Sequence, residues 1–181
     1  NEKKYLNKCI NENYISSSGP FVEKFEKNFA RKVNRKYGVA VSNGTAAIQL
    51  AFESLNIKKN DEIILPSFTI ISCVLPVIRC GAIPVLIDSD PLTWNIDINK
   101  IEEKITKKTK AIMVPNLIGN IPDFKKIRKI ANRYKLIVIE DSADTLGAKI
   151  DNKTTGHFSD VSITSFYGSH VISCAGNGGM L

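Results

Sequence analysis

Apolar residues in this chain come in short runs that do not alternate with polar ones, and each run is followed by a stretch whose apolar residues recur at helical spacing. No other feature limits the fold as much. A strand that is apolar on both sides is covered on both sides, the condition of a parallel sheet between helical layers, because each crossover lays a helix on one face or the other. The runs predict strands at Val39 to Val41, Ile63 to Leu65, Pro84 to Ile87, Ala111 to Val114, Leu136 to Ile139 and Val161 to Ile163. Helices are predicted near Phe21 to Lys36, Thr45 to Leu55, Ile70 to Cys80, Ile98 to Lys104 and Phe124 to Tyr134. The expected fold class is α/β, a mostly parallel sheet with helices on both faces.

Composition sets the bounds of this reading. With 181 residues, 43% hydrophobic and 24% charged, the chain has enough apolar matter for one sizeable core and too much for a disordered segment. No internal repeat or low-complexity linker divides it, so residues 1–181 are read as one domain. It opens on Asn1 and stops at Met180-Leu181, just after a glycine pair and on the way into a strand, so both ends look cut and a longer protein is expected. The net charge of +7 invites a nucleic-acid partner, but the lysines are spread through helical stretches such as Lys100 to Lys110 and Lys125 to Lys135, the pattern of a solvated face. Cys9, Cys73, Cys80 and Cys174 are far apart, with no C-x-x-C pair and no histidine at a metal-ligand spacing, which fits free thiols in a reducing compartment and no metal. No charged leader with a short apolar run opens the chain, and no apolar stretch nears the roughly 18 residues needed to span a bilayer. A cytoplasmic protein with neither nucleic-acid nor membrane partner is expected.

In such sheets ligands collect at the carboxyl ends of the strands. Ser42-Asn43-Gly44-Thr45, Pro66-Ser67-Phe68-Thr69, Pro115-Asn116, Glu140-Asp141 and Ser165 to His170 all fall there. Gly44-Thr45-Ala46-Ala47 joins a strand to a helix. It reads either as a phosphate cradle, with free amides and the positive end of a helix dipole, or as a tight turn capped by Thr45 or Ser42. Asp141 ends an apolar run and reads either as a partner for a protonated pyridine nitrogen or as a helix cap or solvated strand end. His170 alone reads as a polar loop residue, and His157 as a surface or supporting one.

Taken together, these segments resemble the sugar-nucleotide aminotransferase family (the DegT/DnrJ/EryC1/StrS group). The resemblance runs from Gly19-Pro20-Phe21-Val22 to Gly178-Gly179 and rests on several ordered segments: Ser42 to Ala47, Glu140-Asp141, and Ser165 to His170 followed by Ala175-Gly176-Asn177-Gly178-Gly179. It implies the large domain of a fold type I enzyme that uses pyridoxal phosphate or pyridoxamine phosphate, with a smaller C-terminal domain beyond residue 181. It also implies that Gly44, Thr45, Ala46 and Ser165 hold the cofactor phosphate, that Asp141 pairs with the ring nitrogen, and that a homodimer builds the site.

Three positions depart from the aminotransferase pattern. Five residues after Ser165, where the family carries the lysine that binds pyridoxal phosphate covalently, stands His170, and no lysine follows Lys153. Asp144 stands where histidine or glutamine lies near the cofactor's phenolic oxygen, and Ile70 where an aromatic ring commonly stacks on the pyridine. The first two departures resemble the histidine-containing sugar 3-dehydratase branch, those acting on GDP-4-keto-6-deoxy-mannose above all. Imidazole forms no stable imine, yet it exchanges a proton near neutrality because its unperturbed pKa is about 6.5. The resemblance therefore implies a cofactor held noncovalently as its amine, loss of the C3 hydroxyl from a nucleotide-linked 4-keto-6-deoxy sugar with His170 moving the proton, and an amino donor such as glutamate. An ordinary aminotransferase and a silent family member that only binds a partner are the rival expectations.

Overall fold

The computed structural model describes residues 1–174 and 176–181; Ala175, which opens the glycine-rich run, lies outside the described residues. Helix α1 (Glu2–Asn11) and helix α2 (Pro20–Lys32) precede strand β1 (Ala40–Val41) and helix α3 (Gly44–Ser54). Strand β2 (Glu62–Pro66), helix α4 (Ile71–Arg79), strand β3 (Ile83–Ile87) and strand β4 (Thr109–Pro115) follow. Helix α5 (Phe124–Tyr134) leads to strand β5 (Ile137–Asp141), then to a small hairpin of β6 (Lys149–Ile150) and β7 (Lys153–Thr154), and the chain closes with β8 (Val161–Ser165) and β9 (Gly179–Met180).

Seven strands among the described residues form one sheet in the order β1-β9-β8-β5-β4-β2-β3. Strands β3, β2, β4, β5 and β8 pair in parallel, and β9 runs antiparallel to both β8 and β1. The absence of alternation has the expected cause. Ile63, Ile64 and Leu65 of β2 and Ala111 through Val114 of β4 are inaccessible to solvent on either side of the sheet. One apolar layer, built on Ala47, Phe52, Cys73 and Val77, joins α3 and α4 to the first face. The other, built on Ile101, Phe124, Ile127 and Ala131, places α5 on the second.

Local chemistry explains the element ends. Asn43 begins α3, its side chain accepting the Ala46 amide at 2.8 Å, and Asp123 begins α5 by accepting the Lys126 amide at 3.1 Å. Helix α5 stops at Lys135, which takes a left-handed conformation (φ 57°).

Several expectations are corrected. Helix α2 ends at Lys32 rather than Lys36, because Asn34 turns to φ 56° and the Arg35 amide returns to the Ala30 carbonyl at 2.7 Å. That turn frees the Arg35 guanidinium to donate to the carbonyls of Gly156 and Ser159 at 3.0 and 3.1 Å and to that of Asp160. The stretch from Ile98 to Lys104 is two short 3-10 turns, Ile98–Lys100 and Glu102–Lys104, not one helix. Helix α1 has no buried residue, and its contact with α2 includes Tyr5 edge-on to Phe21 at 5.4 Å, so no core stripe marked it in the sequence. The β6–β7 hairpin is likewise too short and too polar to carry a periodic signal.

Strand β9 enters the sheet through a close approach. A Cβ on Gly179 would lie 2.5 Å from the carbonyl carbon and oxygen of Asn43, backbone atoms that have no rotamer by which to yield. Gly179→Ala is expected to cost about 3 kcal/mol, the upper part of the overpacking range, and to lower the melting temperature measurably by calorimetry. An unchanged melting temperature would show that the β9 contact yields without cost.

Candidate active site

The carboxyl ends of β4, β5 and β8 and the start of α3 surround a cavity of about 270 Å³. Its wall includes Gly44, Thr45, Ile70, Asn116, Asp141, Asp144, Ser165, Tyr167 and His170. Of the residues to which the resemblance gives a cofactor or catalytic role, Gly44, Thr45, Ile70, Asp141, Asp144, Ser165 and His170 are on this wall and Ala46 is away from it. Its amide is held by the Asn43 side chain, and it lines an adjoining recess with Gln49, Arg79 and Asn177. His157 also lies elsewhere, edge-on to Phe158 at 4.9 Å.

The first turn of α3 meets β8 here. A Cβ on Gly44 would stand 2.9 Å from the Cβ of Ser165, so the absent side chain is what leaves the hollow open. The cap is Asn43, neither Ser42 nor Thr45. The Thr45 hydroxyl instead donates to Ser72 Oγ at 2.9 Å, tying α3 to α4. Among the described residues the Gly44 and Thr45 amides have no protein acceptor. They sit at a helix N-terminus, where partial positive charge favours an anion, and the Ser165 hydroxyl lies opposite. These groups fit a phosphate.

Asp141 ends β5 and is only 8% exposed. Its Oδ1 accepts the Ala143 amide at 3.0 Å, and the thiol of Cys73, on α4 beneath it, donates to Oδ2 at 3.5 Å. Burial pushes the Asp141 carboxyl above the ordinary carboxylate value; the Ala143 amide and Cys73 thiol oppose that shift, Asp144 adds to it, and His170 opposes it. A buried acid with no lysine or arginine on its wall among the described residues suits a protonated ring nitrogen, whose charge would supply a counter-ion. Glu140 points to the opposite side of the strand. It accepts from Asn116 Nδ2 at 2.9 Å, Ser142 Oγ at 3.0 Å and the Gly156 amide at 2.8 Å, and burial raises it too. Asn116, itself buried, also donates to Thr145 Oγ1 at 3.0 Å, while its Oδ1 has no partner.

His170 is carried by the loop after β8. Phe166 anchors that loop by packing its buried ring against Phe25 and Phe29 of α2, at 5.5 and 5.7 Å between centroids. The Phe166 amide bonds the Gly178 carbonyl at 2.8 Å, and the His170 amide bonds the Tyr167 carbonyl at 3.0 Å. Nδ1 of His170 lies 3.1 Å from Oδ1 of Asp144. Ile70, at the N-terminus of α4, contributes an apolar wall, and no lysine or arginine lines the cavity among the described residues.

The sequence had singled out neither Cys73 nor Ser72. Ser72 lines the cavity itself and Cys73 meets Asp141 across the fold, and no local pattern marks either. A larger cavity, about 540 Å³ between α2 and the β8–β9 edge, gathers no comparable chemistry. Its Arg35 is committed to backbone carbonyls, and its Asp160 to the Val138 amide and Arg128. Among the described residues no group of three or more His, Cys, Asp or Glu is placed to hold a metal, and no helix is long and apolar enough to cross a membrane.

Comparison with known proteins identifies the family. The model of the DegT/DnrJ/EryC1/StrS aminotransferase family matches residues 1–181. The chain belongs to that family. Among curated members, the GDP-perosamine synthase of Escherichia coli O157:H7 is 43% identical over 180 residues, which cover 99% of this chain and 49% of that protein. The chain thus spans about half the length of the curated relatives it matches. Two solved structures of GDP-4-keto-6-deoxymannose-3-dehydratases share its fold. One, a histidine-to-asparagine mutant with bound GDP-perosamine, has a TM-score of 0.92 and 32% identity, over 99% of this chain and 47% of that one. The other, from E. coli with bound hydrated pyridoxal phosphate, has a TM-score of 0.91 and 32% identity, over 99% and 48%. Family membership accounts for the α/β fold.

The raised pKa of Asp141 has a measurable consequence. The fold favours the neutral acid, so the stability this group contributes is present below its ordinary value of 3.8 and is lost as pH rises through the higher folded value. Asp141→Asn cannot ionise. Without added cofactor, the melting temperature of the variant relative to wild type is expected to climb as pH rises from about 4 to about 7. A difference that stays flat or falls would mean that the fold stabilises the carboxylate.

Proposed function

We propose that this protein removes the C3 hydroxyl from a nucleotide-linked 4-keto-6-deoxyhexose, as part of a longer homodimeric enzyme of deoxysugar and surface-polysaccharide biosynthesis. The observation that carries this reading is His170 on the cavity wall, five residues after Ser165 where the family resemblance implies a lysine, with no lysine on that wall among the described residues. Pyridoxamine phosphate, when bound, supplies a primary amine for the sugar ketone and a protonated ring that withdraws electrons. The amides of Gly44 and Thr45 and the hydroxyl of Ser165 bind the phosphate. Asp141 keeps the proton on the ring nitrogen. Ile70 covers one ring face by dispersion contact and keeps water from it.

His170 does the proton work. With Nδ1 turned to Asp144, Nε2 takes a proton from carbon and returns it to the departing C3 oxygen, which leaves as water. A cavity of about 270 Å³ takes a cofactor ring without a nucleotide-linked sugar beside it, so the sugar lies over the outer rim near Leu117 and Tyr167. Glutamate is the amino donor that restores the cofactor. Dehydratases of the same fold, one of them studied as a histidine mutant, support this reading.

A second reading, transamination of the same class of sugar, is favoured by the 43% identity to a GDP-perosamine synthase. It requires a lysine at the cofactor, which His170 does not supply. Mass spectrometry of the sugar product distinguishes the two. Full-length protein given pyridoxal phosphate, glutamate and GDP-4-keto-6-deoxy-mannose is expected to yield a 3-deoxy sugar lacking one oxygen and holding no nitrogen. His170→Asn is expected to slow turnover by about 10²-fold or more. A product that retains an amino group sinks the dehydratase reading.

A further inference from the structure

We propose that Asp144 is a positioning residue for His170: its carboxylate accepts the Nδ1 proton, holding the imidazole in the form whose Nε2 is the bare nitrogen presented to the cavity. The proposal rests on the reading of His170 as the proton-transfer group. It assigns a task to a residue for which family resemblance offered only a position near the cofactor's phenolic oxygen.

The geometry is specific. Asp144 lies in the loop after β5 and His170 in the loop after β8, 26 residues apart, yet Oδ1 and Nδ1 meet at 3.1 Å on the cavity wall. An acidic residue after a strand ordinarily caps a turn or helix, as Asp141 does by accepting the Ala143 amide. Among the described residues Asp144 accepts no backbone amide, and its side chain pairs with His170 alone. A carboxylate facing a phenolate oxygen would be repelled by it; turned to the imidazole, it meets a donor. The histidine side chain is 18% exposed and that of Asp144 43%, so the pair sits at the cavity mouth, partly shielded from water.

The requirement is chemical. A neutral imidazole can accept a proton at Nε2 only if its own proton is on Nδ1, and which nitrogen carries that proton is decided by the partner of the other. The same logic orients the histidine of serine hydrolases through an aspartate. The groups facing His170 are Asp144, the buried Asp141, and Tyr167, whose ring centre is 6.3 Å away. Among the described residues no lysine or arginine lines the cavity to compete for the carboxylate.

Nitrogen-15 NMR of the full-length protein labelled in histidine tests this directly, without any cofactor, with the His170 signals assigned by their loss in His170→Asn. The neutral ring in wild type is expected to carry its proton on Nδ1. Asp144→Ala is expected to shift it to Nε2, while Asp144→Asn, whose amide oxygen still accepts, keeps the wild-type form. In the sugar assay Asp144→Ala is expected to lower kcat by about 10²-fold with KM little changed, and Asp144→Asn to recover most of that loss. A wild-type ring protonated on Nε2, or an Nδ1 proton that persists in Asp144→Ala, overturns the proposal. A product bearing nitrogen would instead overturn the dehydration reading, and the tautomer measurement would still decide the role of Asp144.

Discussion

A parallel sheet with both faces dry has nowhere along its length to keep a polar side chain that must meet solvent or substrate. Ile63 to Leu65 and Ala111 to Val114 occupy the strand interiors with aliphatic groups, and chemistry is displaced to the places where the strands end. The candidate site follows from that displacement. Asn116 succeeds β4, Asp141 ends β5 and Ser165 ends β8, so residues far apart in the chain arrive at one rim because the sheet registers their strands side by side.

Close backbone packing then shapes the rim. Gly44 lets the first turn of α3 approach Ser165, and Gly179 lets β9 pass against the carbonyl of Asn43. Asn43 thereby takes part in both features, as the cap of α3 and as the backbone against which β9 lies. The antiparallel β9 is thus coupled to the geometry of the α3 N-terminus. A Cβ at Gly44 would press on the Ser165 side chain and one at Gly179 on the Asn43 backbone, so either would disturb the junction of α3, β8 and β9.

The electrostatics of the rim have a consistent sign. Asp141 and Glu140 are both buried and both held above the ordinary carboxylate range, chiefly by desolvation. Glu140 is satisfied within the protein by Asn116, Ser142 and Gly156 and serves to hold the strand end in place. Asp141 faces the cavity with an amide and a weak thiol donor but, among the described residues, no lysine or arginine, which suits a ligand that compensates its charge. Amides that favour an anion at one end and an acid that favours a cation at the other give the cavity a polarity suited to a molecule carrying a phosphate and a protonated ring.

Much of this was legible before the structure. Local patterns determined the α/β class, the approximate strand positions, the Gly44-Thr45 turn and the acidic end of β5, because periodicity and turn chemistry act between near neighbours. That His170 follows Ser165 by five residues, with no lysine after Lys153, is likewise a fact of the sequence, and it carries the functional reading. Where local signals were weak they misled: Asn43 rather than Ser42 or Thr45 caps α3, Ile98 to Lys104 forms 3-10 turns, and α2 stops early to release Arg35. The tertiary structure alone decided that Cys73 lies beneath Asp141, 68 residues away, and that Asp144 turns to His170. Which way a side chain points, and what it meets, is settled by packing between elements distant in the chain, and no periodicity within one segment encodes it.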